Sequence, residues 1–207
     1  MTYKATVIVV DCPWSFNDKL LQSNVARGAE SNYPILTIEE LKKLPIADIS
    51  DPSGALLALW CPSSLLPNGL QLMDAWQFNF KQTLIWVKVK KNIAKVDNIN
   101  NTLAFGMGRI FRQTHELCLI GTNNNGIYRK LKNRSQRSVL FSQNEKHSKK
   151  PEELQNRLEI MFPDAIKCEL FARRERNGWL CLGNEVGQKE DIRTSLQKLI
   201  NNQPIVC

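Results

Sequence analysis

The chain has 207 residues and a net charge of +8, from 28 basic and 20 acidic side chains. This length builds one α/β domain with a large core, and the charge favours a polyanionic partner. No apolar stretch is long enough to span a bilayer, and six cysteines without a Cys-x-x-Cys pair, with two histidines to join them, argue against a zinc site.

The apolar run from Tyr3 to Val10 is β-branched and continuous over Val7-Ile8-Val9-Val10, which predicts a strand over 4–11 buried on both faces. It begins directly after the N-terminus, so no signal peptide is expected. Residues 15–32 are polar, contain Gly28 and show no periodic pattern. A short helix is predicted over 37–43, with Thr37 as N-cap and Glu40 completing a capping box. A strand over 54–60 precedes a helix from Pro67 to about Trp76. After a strand over 81–88 comes a stretch rich in Asn and Lys, 89–113, read as a second flexible loop. Its Phe105-Gly106-Met107-Gly108 does not clearly follow a strand or open a helix, so it is not read as a cofactor turn.

A strand over 115–121 follows. Pro151 opens the clearest helix, where Leu154, Leu158 and Met161 recur at helical spacing before Pro163. Strands over 165–171 and 179–182 and an amphipathic helix over 189–200 complete the series. Alternation of strands and helices predicts an α/β domain spanning 1–207, with a mostly parallel central sheet and helices on both faces. Cys118, Cys168 and Cys181 fall inside apolar runs and read as core thiols, which suits a reducing cytoplasm.

The chemistry concentrates at Asp11-Cys12-Pro13-Trp14, where the first strand ends. Open α/β sheets hold their ligands at the carboxyl ends of strands. The proline stiffens the backbone there and its carbonyl can accept a hydrogen bond. A carboxylate, a fixed carbonyl and a flat ring together suit an exocyclic amine on a planar base. Asp and Pro are also ordinary choices for a turn, so the cluster gains its meaning only together with segments further along the chain.

Asp11-Cys12-Pro13-Trp14 resembles the Asp-Pro-Pro-Trp motif of S-adenosylmethionine-dependent amino-group methyltransferases. Further segments narrow the resemblance to the MT-A70 family of adenine-N6 methyltransferases. These are Asn32-Tyr33-Pro34, Leu57 to Trp60, Leu84 to Lys88, His115 to Gly121, His147 to Leu154, Glu169 to Arg173, and Gly178 to Glu185. They run in family order over residues 5 to 186.

The resemblance implies a Rossmann-like fold with permuted motif order, the catalytic strand early and the cofactor strands late. It implies S-adenosylmethionine as cofactor and transfer of its methyl group to N6 of adenine. Catalytic roles carry over to Asp11, Cys12, Pro13, Trp14 and the loop tyrosine Tyr33. Cofactor contacts carry over to Asp11, Cys12, Lys150, Glu169, Arg173, Asn184 and Glu185, with Lys150 holding the cofactor carboxylate. Two positions depart from the family: Cys12 replaces the usual Pro, and Glu185 stands where related RNA enzymes have Gln. A nucleophilic Cys12 is not expected. Trp60 and Trp86 read as packing residues. Glu169, an acid in an apolar strand, must either pair with a base or face the cofactor cleft.

Basic side chains cluster at Lys88, Lys90 and Lys91, at Arg129, Lys130 and Arg134, and at Lys149. Such runs are commonly solvated faces; beside the site they would position a nucleic acid through its phosphates. DNA is the expected partner, on the shortness of the chain, with the target base flipped from the stack. An RNA adenine methyltransferase, a non-catalytic nucleic-acid-binding subunit and methylation of cytosine N4 stay open. So does assembly as a homodimer or as a heterodimer with a related subunit.

Overall fold

A computed structural model describes residues 3–14, 36–90, 98–106, 108, 110–143, 149–187 and 189–204. Seven strands form one sheet: β1 (Val7–Val10), β2 (Leu56–Cys61), β3 (Asn79–Val89), β4 (His115–Thr122), β5 (Val139–Gln143), β6 (Lys167–Leu170) and β7 (Trp179–Leu182). Their order across the sheet is β5-β3-β4-β2-β1-β6-β7. β4 is antiparallel to both neighbours, and every other pairing is parallel.

The central strands are buried on both faces, as β-branched and apolar runs require. Side chains alternate between the faces, so the sheet separates two cores. Ile8, Val10, Leu57, Leu59, Leu119, Cys168 and Leu170 belong to one. Val7, Val9, Leu56, Ala58, Trp60, Leu84, Trp86, Cys118 and Ile120 belong to the other. Helices α1 (Ile38–Lys42), α2 (Ile46–Ile49), α3 (Leu66–Ala75) and α6 (Ile192–Ile200) supply the first core, while α4 (Ile127–Lys130) and α5 (Glu153–Met161) supply the second. Each fully buried Leu or Ile contributes about 1.5–3 kcal/mol, which outweighs the short length of most of these helices.

The predicted capping box forms: Thr37 Oγ1 accepts from Glu40 N–H, and Glu40 Oε2 accepts from Thr37 N–H at 2.8 Å. Pro67 stands in the first turn of α3. The Trp76 indole donates to Leu41 O at 2.9 Å and ties the end of α3 to α1.

β5, α2 and α4 were not predicted; Val139, Leu140 and Phe141 are a short apolar island among polar residues, and α2 and α4 each span a single turn. In the stretch 89–113 the described residues make backbone contacts with the end of β3. Lys90 N–H donates to Thr102 O and Ala104 N–H to Lys88 O, both at 2.8 Å, so the chain folds back along the end of β3. The loop predicted over 15–32 lies outside the described residues.

Candidate active site

Because six strands point the same way, their carboxyl ends share one edge of the sheet. Asp11 follows β1 there, its N–H donating to Leu170 O at 3.4 Å. Period-2 alternation puts residue 11 on the face of Val7 and Val9, the face on which α5 packs. The same alternation puts Lys88 with Leu84 and Trp86, Glu116 with Cys118 and Ile120, and Glu169, the register partner of Val9, on that face too.

These side chains form a continuous chain of charge. Lys150, just before α5, places Nζ 2.9 Å from one carboxylate oxygen of Asp11 and 3.1 Å from the other. The same ammonium lies 3.4 Å from Glu116, and Lys88 completes the series at 2.5 Å from the other oxygen of Glu116. Trp60 and Trp86 lie beneath, edge to face with centroids 6.2 Å apart. Lys150 stands over the first ring at 5.9 Å and Lys88 over the second at 4.9 Å. Burial opposes the charge on Lys150, but Asp11 and then Glu116 outweigh it and raise its pKa. Burial likewise opposes the charge on Glu116, and Lys150 and Lys88 hold its pKa below the usual carboxylate value. Two cations thus alternate with two carboxylates, and their charges cancel.

Cys12 and Pro13 are buried behind Asp11, and Trp14 N–H donates to Cys12 O at 2.9 Å in a tight turn. Burial pushes the Cys12 thiol well above its ordinary range, with the Asp11 charge adding to it. A thiol shifted this way favours its neutral, weakly nucleophilic form. Trp14 is also buried, and its indole donates to Trp60 O at 3.1 Å. In this conformation its ring pins the Asp11 turn to the end of β2, and little of it is open for stacking. Tyr33 lies outside the described residues.

On the other side of Asp11, β6 and β7 end together. Phe171 takes a left-handed φ of 59°, a conformation that costs a bulky residue about 1–3 kcal/mol. Ala172 N–H then donates to Leu182 O at 2.9 Å. A Cβ on Gly183 would sit 2.4 Å from Ala172 O, so only glycine lets the two loop starts touch. This closure sets Arg173 beside the turn carrying Asn184 and Glu185. Arg173 and Asn184 are half-buried and Glu185 is exposed.

Glu169 has an amide partner: Gln155 Nε2 donates to it at 3.1 Å. Burial raises its pKa, and the nearby Asp11 adds to the rise. The carbonyl oxygen of Gln155 is buried without a hydrogen-bond partner. Between the ends of β5 and α5 opens a cleft of about 440 Å³, lined by Phe141, Gln143, Lys149, Lys150 and Asn156 among others, so the Lys150 side chain forms part of its wall.

The basic clusters separate. Lys88, Lys90 and Lys149 stand at the Asp11 edge, but the Lys88 ammonium is held by Glu116 within the site. Lys91 lies outside the described residues. Arg129, Lys130 and Arg134 are not brought to the site. β4 runs backwards, so the segment after it emerges at the opposite edge. Lys130 is a fold contact: its ammonium donates to Asp51 at 2.5 Å, Ser53 Oγ at 2.9 Å and Gly54 O at 3.0 Å. Sequence reasoning did not assign Glu116 to the site. Its signal was present, since it shares the face of two core residues and a buried acid requires a cation.

The MT-A70 family model matches residues 5–185. The chain is 25% identical over 193 residues to an Arabidopsis thaliana N(6)-adenosine-methyltransferase MT-A70-like protein, covering 92% of this chain and 25% of that protein. It is 25% identical over 187 residues to the Homo sapiens N(6)-adenosine-methyltransferase catalytic subunit METTL3, covering 88% of this chain and 28% of that one. Type II methyltransferase M.MunI of Mycoplasma sp is 25% identical over 200 residues, covering 88% of this chain and 78% of that enzyme. The chain thus spans about a quarter of the length of the first two relatives and most of the third. With the model matched from Ala5 to Glu185, the chain belongs to the MT-A70 family.

Proposed function

We propose that this chain transfers a methyl group from S-adenosylmethionine to the N6 amine of adenine in DNA. The observation that carries the reading is the Asp11 carboxylate, fixed at the carboxyl edge by Lys150 and joined through it to Glu116 and Lys88. The lone pair of an adenine amine is delocalised into the ring, so the amine must be oriented before it can react. Asp11 Oδ accepts one amine hydrogen and the Pro13 carbonyl the other, which turns the lone pair out of the ring plane. A carboxylate has about four acceptor directions, so Asp11 can serve the amine while bonded to Lys150. The buried Cys12 thiol takes no covalent part.

The donor set fits the cofactor. Its amino-acid end carries a carboxylate and an ammonium, which match Lys150 on one side and Asp11 with Glu169 on the other. The unpartnered Gln155 carbonyl oxygen offers a further acceptor. Arg173, Asn184 and Glu185 would hold the ribose and adenine end. When bound, the cofactor supplies a methyl group on a sulfonium centre. Lys90 and Lys149 would contact phosphates at the same edge.

DNA is favoured because M.MunI, a type II methyltransferase, is matched over most of its length. The matches to N(6)-adenosine methyltransferases support RNA as the second reading. Mass spectrometry of nucleosides from DNA and RNA of cells expressing the chain or its Asp11→Asn form tests both. N6-methyladenine should rise in DNA with the intact chain alone. A rise confined to RNA selects the second reading, and no rise in either rejects methyl transfer.

A further inference from the structure

The segment between β3 and β4 ends in an exposed apolar tip. Gly106 and Gln113 pair as an antiparallel bridge, N–H to O at 2.8 Å and 3.2 Å. Beyond that bridge the chain turns within a few residues. A Cβ on Gly108 would lie 2.1 Å from Phe111 O, so the turn closes only over glycine. At the tip, Ile110 is 89% exposed and Phe111 84%, with Phe105 on the stem at 63%. Single exposed apolar side chains are ordinary; three within seven residues of one hairpin, two of them almost wholly in solvent, are not.

The stem is anchored to the site. Gln113 Nε2 donates to Ser63 Oγ at 3.0 Å and to His115 O at 2.8 Å. The next residue, Glu116, holds Lys150, which holds Asp11. The stem therefore stands at the edge at which a target base must arrive. Its surroundings are cationic: Arg112 lies 6.0 Å over the Phe105 ring, and Lys90 is exposed at the base of the stem. An apolar tip flanked by cations matches a duplex, with a phosphate surface outside and stacked bases within.

We propose that Phe111 and Ile110, carried beyond the Gly106–Gln113 bridge, act as a wedge that enters the duplex beside the target adenine. Taking an adenine out of the stack leaves a gap and an unpaired thymine. An apolar side chain that fills the gap stabilises the opened state. This rests on the reading of the chain as an adenine methyltransferase acting on duplex DNA.

The test compares the full-length chain with I110S/F111S, whose substitutions lie in solvent and leave the cores intact. Transfer of radiolabelled methyl is measured on random-sequence duplex DNA and on the same DNA heat-denatured. Permanganate oxidation of thymines reads base opening without any transfer. The variant should lose at least about tenfold of its activity on duplex, consistent with a lost wedge, and keep its activity on denatured strands. Permanganate reactivity seen with the wild type should disappear. Equal loss on both substrates, or loss on neither, overturns the wedge. So does a wild type that methylates single strands alone, an outcome that leaves adenine methylation standing. Conversion of a wild-type dimer to a monomer by the same substitutions, seen in sedimentation, assigns the tip to a second copy and also overturns it. Opening without transfer supports the wedge while rejecting the methyltransferase reading; neither opening nor transfer rejects both.

Discussion

Among the described residues Lys150 is the one cation paired with both Asp11 and Glu116, so Lys150→Met isolates what the charge chain contributes to the fold. Asp11 and Lys150 are each only 16% exposed. Removing one partner of a buried pair costs roughly 3–5 kcal/mol, and the partial access of water places this case near the lower end. Glu116 keeps Lys88 at 2.5 Å, so the group left without its cation is Asp11. A loss of about 3 kcal/mol lowers the melting temperature of a chain this size by roughly 6–12 °C.

Scanning calorimetry of wild type, Lys150→Met, Asp11→Asn and the double variant measures the coupling directly. The double variant has no orphaned carboxylate and should recover most of the loss. The pH dependence has a fixed sign. The Lys150 pKa is raised, so its contribution is present below the ordinary lysine value of 10.5 and is lost as pH rises through the folded value. The gap between wild type and Lys150→Met should therefore narrow at strongly alkaline pH. If Lys150→Met melts with the wild type, or its loss persists undiminished in the Asp11→Asn background, the pairing does not organise the site.

Lys130→Met should lower stability by about 1 kcal/mol, a value that allows for solvent screening of a partly exposed pair, and leave DNA affinity in a filter-binding assay unchanged; weaker binding at unchanged melting temperature would restore Lys130 to the nucleic-acid surface. Burial works against the Asp51 carboxylate, but Lys130 and Ser53 outweigh it and hold its pKa at about 2, so its contribution should fade as pH falls from 3.8 towards about 2 and be absent in Asp51→Asn, as acid titration followed by circular dichroism would show. Cys12→Ser should keep methyl transfer, since the thiol is neutral in place; complete loss of turnover with intact cofactor binding in calorimetry would make the sulfur a participant. Gly183→Ala should destabilise the fold by about 1–3 kcal/mol and weaken cofactor binding by parting the ends of β6 and β7; an unchanged dissociation constant would separate that closure from the cofactor site.

Much of the site was legible because it follows from strand ends. A buried β-branched run that stops at Asp11 places that carboxylate at the ligand edge, and the motif order brought Lys150, Arg173 and Asn184 to the same side. Local chemistry was legible too, as at Thr37 and Glu40. Pairing between distant strands was not. Nothing near Glu116 in sequence shows that Trp86 is its register partner or that Lys88 lies within reach. The burial of the Trp14 ring was not legible either, because a sequence shows that a ring is present and not which side chains cover it. β5 escaped notice because its neighbour β3 supplies the pairing that its own composition does not announce.

One topological fact accounts for both the largest gain and the largest loss. β4 is the strand that runs against the rest. Its reversal delivers its first residues, His115 and Glu116, to the carboxyl edge, where a strand running with the others would have delivered its last. That sets a carboxylate between Lys88 and Lys150 and neutralises a pair of cations that would otherwise repel beside Asp11. The same reversal sends the residues after Thr122 to the far edge, taking Arg129, Lys130 and Arg134 away from Asp11. It also makes the connection from β3 into β4 start and end at the carboxyl edge. A turn-back whose two ends stand at that edge is thus a consequence of the strand direction.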